Sequence, residues 1–235
     1  MSAGESFAVE TENLWRIYPS RSGGDDGGIP ALRGVRLKVP TGKFIMLRGR
    51  SGSGKTTLLN CLAGLDRPTS GTVRVLGREL TEMSDQELTV WRRGQIGLVF
   101  QSFGLLATLS AYENVELLLR IKGGDPKESR KRALACLELV GLSRWRDHRP
   151  YEMSGGQQQR VAIARALANR ASLILADEPT GELDSRTAHE LLGFLRRLVD
   201  DMHITLLMVS HDPLVDPFAH HVFTLRDGVL SDSIS

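Results

Sequence analysis

One stretch, Gly49-Arg50-Ser51-Gly52-Ser53-Gly54-Lys55-Thr56-Thr57, sets what this chain can fold into. It satisfies the pattern G-x-x-x-x-G-K-[ST], and its flanks supply a strand before the glycines and a helix after them. Phe44-Ile45-Met46-Leu47 is a short apolar run of β type, and Leu58 to Ala63 is apolar at helical spacing as far as Gly64. Backbone N–H groups in such a loop converge on phosphate oxygens, and the helix dipole favours negative charge at its start. Gly52 and Gly54 permit an approach that a side chain forbids. Lys55 is expected to reach the β- and γ-phosphates, and the Thr56 hydroxyl to ligate Mg²⁺. A glycine turn that merely happened to contain Lys-Thr would not bring the matching strand and helix with it. The stretch predicts binding of a nucleoside triphosphate.

The remainder of the chain alternates in a way that suits such a loop. Residues 7–40 read as strands around a connection from Pro19 to Pro30 that carries two glycine pairs, predicted as an exposed hairpin loop. Apolar runs at 96–100, 172–176 and 204–209 read as buried strands. Helical patterns occupy 84–91, 157–169 and 185–200, with Ser84 and Glu87 forming a capping-box pattern. Between Gln101 and Gly156 the pattern is helical throughout, with Asp125-Pro126 opening one helix. Arg226-Asp227-Gly228 marks a closing hairpin. Buried strands alternating with helices predict an α/β fold on a mainly parallel sheet, with antiparallel strands at the start and helices inserted mid-chain. The expected organisation is a single domain over 6–235. Its nucleotide-binding core would comprise 6–100 and 157–235, and its inserted helical part 102–156.

Composition excludes several classes. A net charge of +2 produces no overall field toward nucleic acid or an anionic surface. Lys127, Arg130, Lys131 and Arg132, then Arg144, Arg146 and Arg149, form basic clusters, but only Trp145 interleaves an aromatic, so a solvated face is expected and no nucleic-acid partner. Cys61 and Cys136 lie inside helical patterns, which suggests a reducing compartment without disulfides. The first residues lack a signal-peptide pattern, and no apolar run approaches the length of a membrane span.

Four further residues stand where chemistry is done. Asp177 follows Leu173-Ile174-Leu175-Ala176 at the end of a buried strand, where a carboxylate can hold Mg²⁺ beside Thr56. Successive strand residues alternate faces, so Glu178 can share that site only because the strand stops there. Glu178 is the candidate to orient and deprotonate an attacking water. Gln101 and His211 each terminate an apolar strand, at the edge where parallel sheets bind ligands. An amide there would bind the metal or the water, and an imidazole the γ-phosphate. A second glycine stretch, Met153-Ser154-Gly155-Gly156-Gln157-Gln158-Gln159-Arg160, also leads into a helix. It reads either as a second anion cradle or as a helix cap with glycines for close packing. One nucleotide does not need two cradles from one chain, so a cradle here would serve the nucleotide of a partner subunit in a head-to-tail dimer.

Taken together these stretches resemble the ATP-binding-cassette ATPases over nearly the whole chain. Gly49 to Thr56 matches Walker A, Gln101 the Q-loop, Ser154-Gly155-Gly156-Gln157 the signature, Leu173 to Glu178 Walker B, Glu182-Leu183-Asp184 the D-loop and His211 the switch histidine, all in family order. The resemblance implies ATP as substrate, Mg²⁺ as cofactor held by Thr56, Gln101 and Asp177, and dimerisation driven by ATP. It also implies an aromatic upstream of Walker A stacked on adenine; Tyr18 fits that place better than Trp15. The segment after Gln101 would grip a membrane subunit. Leu65 to Gly71, Phe100 to Leu106, Tyr112 to Glu116 and Pro179 to Ser185 look like the LolD/MacB branch, whose partners are permeases of MacB/FtsX-like character. Met153 stands in place of the signature's usual Leu, Glu182 of the branch's usual Asn in the D-loop, and Arg50 of the common Pro or Ser in Walker A. The expectation is an exporter-type ATPase subunit on the cytoplasmic face of the inner membrane. Alternatives are a mechanotransmitter acting on a cell-envelope enzyme or a soluble ATPase acting on nucleic acid or ribosomes.

Overall fold

The computed structural model describes residues 6–19 and 28–232. The chain opens with β1 (Phe7–Tyr18) and β2 (Ile29–Pro40), an antiparallel pair, and the expected loop between them lies mostly outside the described residues. β4 (Ser70–Val75) pairs with β1, and β5 (Arg78–Glu79) extends that sheet by two residues, so its order is β2-β1-β4-β5. Every pairing in it is antiparallel.

The second sheet carries the phosphate loop. Its order is β10-β9-β3-β8-β7-β6, built from β3 (Phe44–Arg48), β6 (Ile96–Val99), β7 (Leu173–Asp177), β8 (Thr205–Ser210), β9 (His221–Arg226) and β10 (Val229–Asp232). All neighbours run parallel except β9 and β10, joined through Asp227 and Gly228 with φ of 49° and 79°. Two successive positive φ values are what a two-residue hairpin turn requires.

Strand alternation divides the core. Phe44, Met46, Ile174, Ala176, Leu206 and Met208 face one apolar cluster, while Ile45, Leu47, Leu173, Leu175, Leu207 and Val209 face another. The first cluster is completed by α3 (Ala111–Ile121), α4 (Pro126–Leu139), α5 (Gly155–Ala168) and α6 (Ser185–Met202). The second is completed by α1 (Lys55–Leu62), α2 (Asp85–Gln95) and the antiparallel sheet. Strands buried on both faces read as unbroken apolar runs, which is how they were legible.

Several boundaries differ from expectation by a residue or more. The run at 96–100 predicts a buried strand through Phe100, but β6 ends at Val99 and Phe100 is 40% exposed. The helix expected over 84–91 continues to Gln95, because Asn169 Nδ2 donates 2.6 Å to the Arg93 carbonyl and Arg92 Nη1 donates 2.7 Å to the Gly64 carbonyl. Among the described residues no helix is long and apolar enough to cross a membrane.

Candidate functional site

The phosphate loop leaves β3 at Arg48 and enters α1 at Lys55. Helices α2, α3 and α5 begin on serine caps with reciprocal Glu or Gln partners, and α4 and α6 begin on aspartate caps. Helix α1 has neither: its N-cap is Gly54, with no side-chain cap bond and no acidic residue in the first turn. The N–H groups of that turn, which includes Thr56 and Thr57, are left to whatever anion the loop receives. Gly54 has φ of 101°, and a Cβ there would collide with the Ala31 carbonyl; one on Gly49 would collide with that of Leu225. The loop is thus wedged between β2 and β9, with no room for a side chain at Gly49 or Gly54. The Ser53 hydroxyl is buried and has no hydrogen-bond partner among the described residues, while Arg50, Ser51 and Gly52 are exposed. A cleft of about 590 Å³ opens over the loop, lined by residues 48–53, His211 and the β9–β10 turn.

Lys55 is 6% exposed, and its ammonium donates 2.8 Å to the Gly49 carbonyl and 3.1 Å to that of Arg50. It also stands 3.6 Å from Glu178 Oε1. Asp177, the last residue of β7, is hydrogen-bonded to the Thr56 side chain. Burial pushes the Asp177 carboxyl above its ordinary range, and neighbouring Glu178 adds to this, while the Thr56 bond and Lys55 pull the other way. Glu178 then turns left-handed, at φ 46°, with its N–H donating 2.9 Å to the Val209 carbonyl. That conformation costs a non-glycine residue about 1–2 kcal/mol and breaks the strand alternation, so both carboxylates meet Lys55.

His211 follows β8 directly, and its Nδ1 lies 2.5 Å from Glu178 Oε2. An ionised carboxylate only accepts, so Nδ1 carries the proton in that bond. The rest of the imidazole is open, the side chain being 66% exposed. Glu178 is therefore gripped from the same side of β7 by two groups: His211 beyond the adjacent β8, and Lys55 beyond β3, one strand further on.

Other candidates lie apart. Gln101 is exposed, and its amide donates 3.4 Å to Glu182 Oε1 rather than bonding to Thr56 or Asp177. That contact spans eighty-one positions and nothing in the spacing announced it. Tyr18 donates 2.7 Å to Asp66 Oδ2, and the Arg16 guanidinium lies 4.4 Å over the Tyr18 ring. Burial pushes the Asp66 carboxyl up, but the bonds from Tyr18 and Arg16 prevail and hold it below the usual range. Trp15, the competing aromatic, donates 3.2 Å to Asn13. Ser154 caps α5: its hydroxyl accepts from Gln157 N–H, and Gln157 Oε1 accepts 2.9 Å from Ser154 N–H. A Cβ on Gly155 would meet Leu183, Glu182 and Phe103, and one on Gly156 would meet Thr187. None of these neighbours belongs to the phosphate loop.

The ABC transporter family model matches residues 32–181. The chain belongs to the ABC transporter family. As an ATP-binding subunit of that family, the cassette hydrolyses ATP to ADP and phosphate. It is 44% identical over 227 residues to an uncharacterised ABC transporter ATP-binding protein of Methanocaldococcus jannaschii, covering 97% of this cassette and 99% of the relative. It is 44% identical over 227 residues to the ABC transporter ATP-binding protein YtrE of Bacillus subtilis, with 97% and 98% coverage. A macrolide export ATP-binding/permease protein, MacB of Syntrophobacter fumaroxidans, is 46% identical over 224 residues, but this cassette spans 31% of its length. Among solved structures, the dimeric post-hydrolysis state of the cassette MJ0796 of M. jannaschii, bound to ADP and phosphate, superposes with a TM-score of 0.85 at 41% identity, covering 97% and 99% of the two chains.

Proposed function

We propose that this cassette dimerises head to tail around two ATP molecules and drives a permease of MacB/FtsX-like character, exporter-type, from the cytoplasmic face of the membrane. The observation that carries the reading is Glu178, held by its backbone turn and by His211 within 3.6 Å of the Lys55 ammonium at the foot of the phosphate loop. In this reading Lys55 and the open α1 terminus bind the β- and γ-phosphates. Glu178 takes the proton of the attacking water, and His211 fixes the carboxylate and reaches the γ-phosphate. Tyr18, pinned at its hydroxyl, offers its ring to the adenine.

The Thr56 hydroxyl and the Asp177 carboxylate suit Mg²⁺, being hard oxygen donors already within bonding distance of each other. When bound there, the ion would neutralise charge on the bridging phosphate oxygens. Gln101 adds an oxygen donor once its amide leaves Glu182. Ser154, Gly155, Gly156 and Gln157 close over the partner's triphosphate, and segment 102–156 moves as the helical unit that meets the permease.

The test is Glu178→Gln. The variant is expected to bind ATP, to accumulate as a dimer in its presence, and to lose turnover by about 10²–10⁴-fold, the range for removal of a general base. Turnover at the parent rate would assign the base elsewhere.

A further inference from the structure

Among the described residues, two opposite charges in this cassette have no adequate partner within their own chain. Arg50 is exposed on the crest of the phosphate loop; its carbonyl accepts from Lys55, but its guanidinium pairs with nothing among the described residues. Glu182 is exposed too, and among the described residues its carboxylate has only the 3.4 Å contact from the Gln101 amide. Several neighbouring charges are committed. Arg48 is paired with Asp216 at 2.5 Å, and Lys55 faces Glu178. Asp184 accepts from the N–H groups of Arg186 and Thr187 as the cap of α6.

In the head-to-tail arrangement their places in the fold bring them together between chains. The Glu182 carbonyl lies 3.5 Å from where a Cβ on Gly155 would stand, and Leu183 lies 3.4 Å from it. Glu182 therefore travels with the serine–glycine end of α5. Wherever that end covers the triphosphate of a partner, Glu182 reaches the rim of the partner's phosphate loop, which is where Arg50 projects. From this we infer that Arg50 of one protomer and Glu182 of the other form an ion pair across the cassette dimer, made twice by the two-fold axis. The inference rests on the head-to-tail arrangement. It also gives the exchange a direction: as Glu182 turns to the partner's Arg50 it releases the Gln101 amide, so dimer closure and the freeing of Gln101 are one event.

Dimerisation with ATP is measured by sedimentation in the Glu178→Gln background, across a salt series, for Arg50→Glu, Glu182→Arg and the double exchange. Each single reversal sets two like-charge contacts in the interface and is expected to weaken the dimer at least about tenfold, while the double exchange returns it to within about threefold of the parent. The neutral pair Arg50→Gln and Glu182→Gln, both exposed and tolerant of folding, is expected to flatten the salt dependence once, with no further flattening when combined. Additive effects in the reversal series, or none, would overturn the pair while leaving the sandwich intact. A parent that never dimerises with ATP, whatever stands at 50 and 182, would overturn the sandwich and the pair together.

Discussion

Asp177 sits where its charge is unwelcome. Burial raises its pKa above the unfolded value, so the folded chain holds that proton to higher pH than the unfolded chain does. The stability this group contributes is complete below the unfolded pKa and is lost as pH rises through the folded one; at neutral pH the ionised carboxylate weakens the nucleotide-free fold. Asp177→Asn is therefore expected to raise the thermal midpoint of the nucleotide-free protein at pH 7, by about 2–4 °C for each kcal/mol gained, and to abolish Mg²⁺-dependent hydrolysis. Differential scanning calorimetry decides it: a lower midpoint would mean that Thr56 and Lys55 outweigh burial. The position of Asp177, Glu178 and His211 was legible, because an apolar run that stops at a polar residue marks a strand end. The grip of His211 on Glu178 was not, since it spans two neighbouring strands whose adjacency no local pattern encodes. Gln101 shows the same limit. Its strand-end place was readable, its present partner Glu182 was not.

Between elements, β6 packs closely against α5. A Cβ on Gly97 would lie 2.8 Å from the Ala166 Cβ and 3.1 Å from its carbonyl oxygen. Neither neighbour is a flexible side-chain end, so strand or helix would have to shift. Gly97→Ala is expected to destabilise the protein by about 1–3 kcal/mol, read as a lower urea midpoint with an unchanged slope. An unaltered midpoint would show that the seam yields freely. Caps were the most legible features at this scale: Ser84 with Glu87 and Asp125 before Pro126 start helices as their chemistry predicts. Ser110 with Glu113 is the same reciprocal cap and starts α3 at Ala111. β5 escaped because two residues carry no periodicity.

For the molecule as a whole, a site shared between chains makes rate depend on encounter. At saturating ATP, activity per chain is expected to fall toward proportionality with protein concentration once that concentration drops below the dimer's dissociation constant. A specific activity constant down to nanomolar protein would contradict shared sites. Fold class was legible because helices and buried strands alternate; the order of the strands was not, since β3 inserts between β8 and β9 from the far end of the chain. That insertion has a mechanical result. The strand bearing the phosphate loop is a party wall, with Phe44 and Met46 lodged in one oily compartment and Ile45 and Leu47 in the other. Loosening the packing in either room tilts the same wall, so wounds far apart in the chain converge on one threshold, the place where the triphosphate would rest.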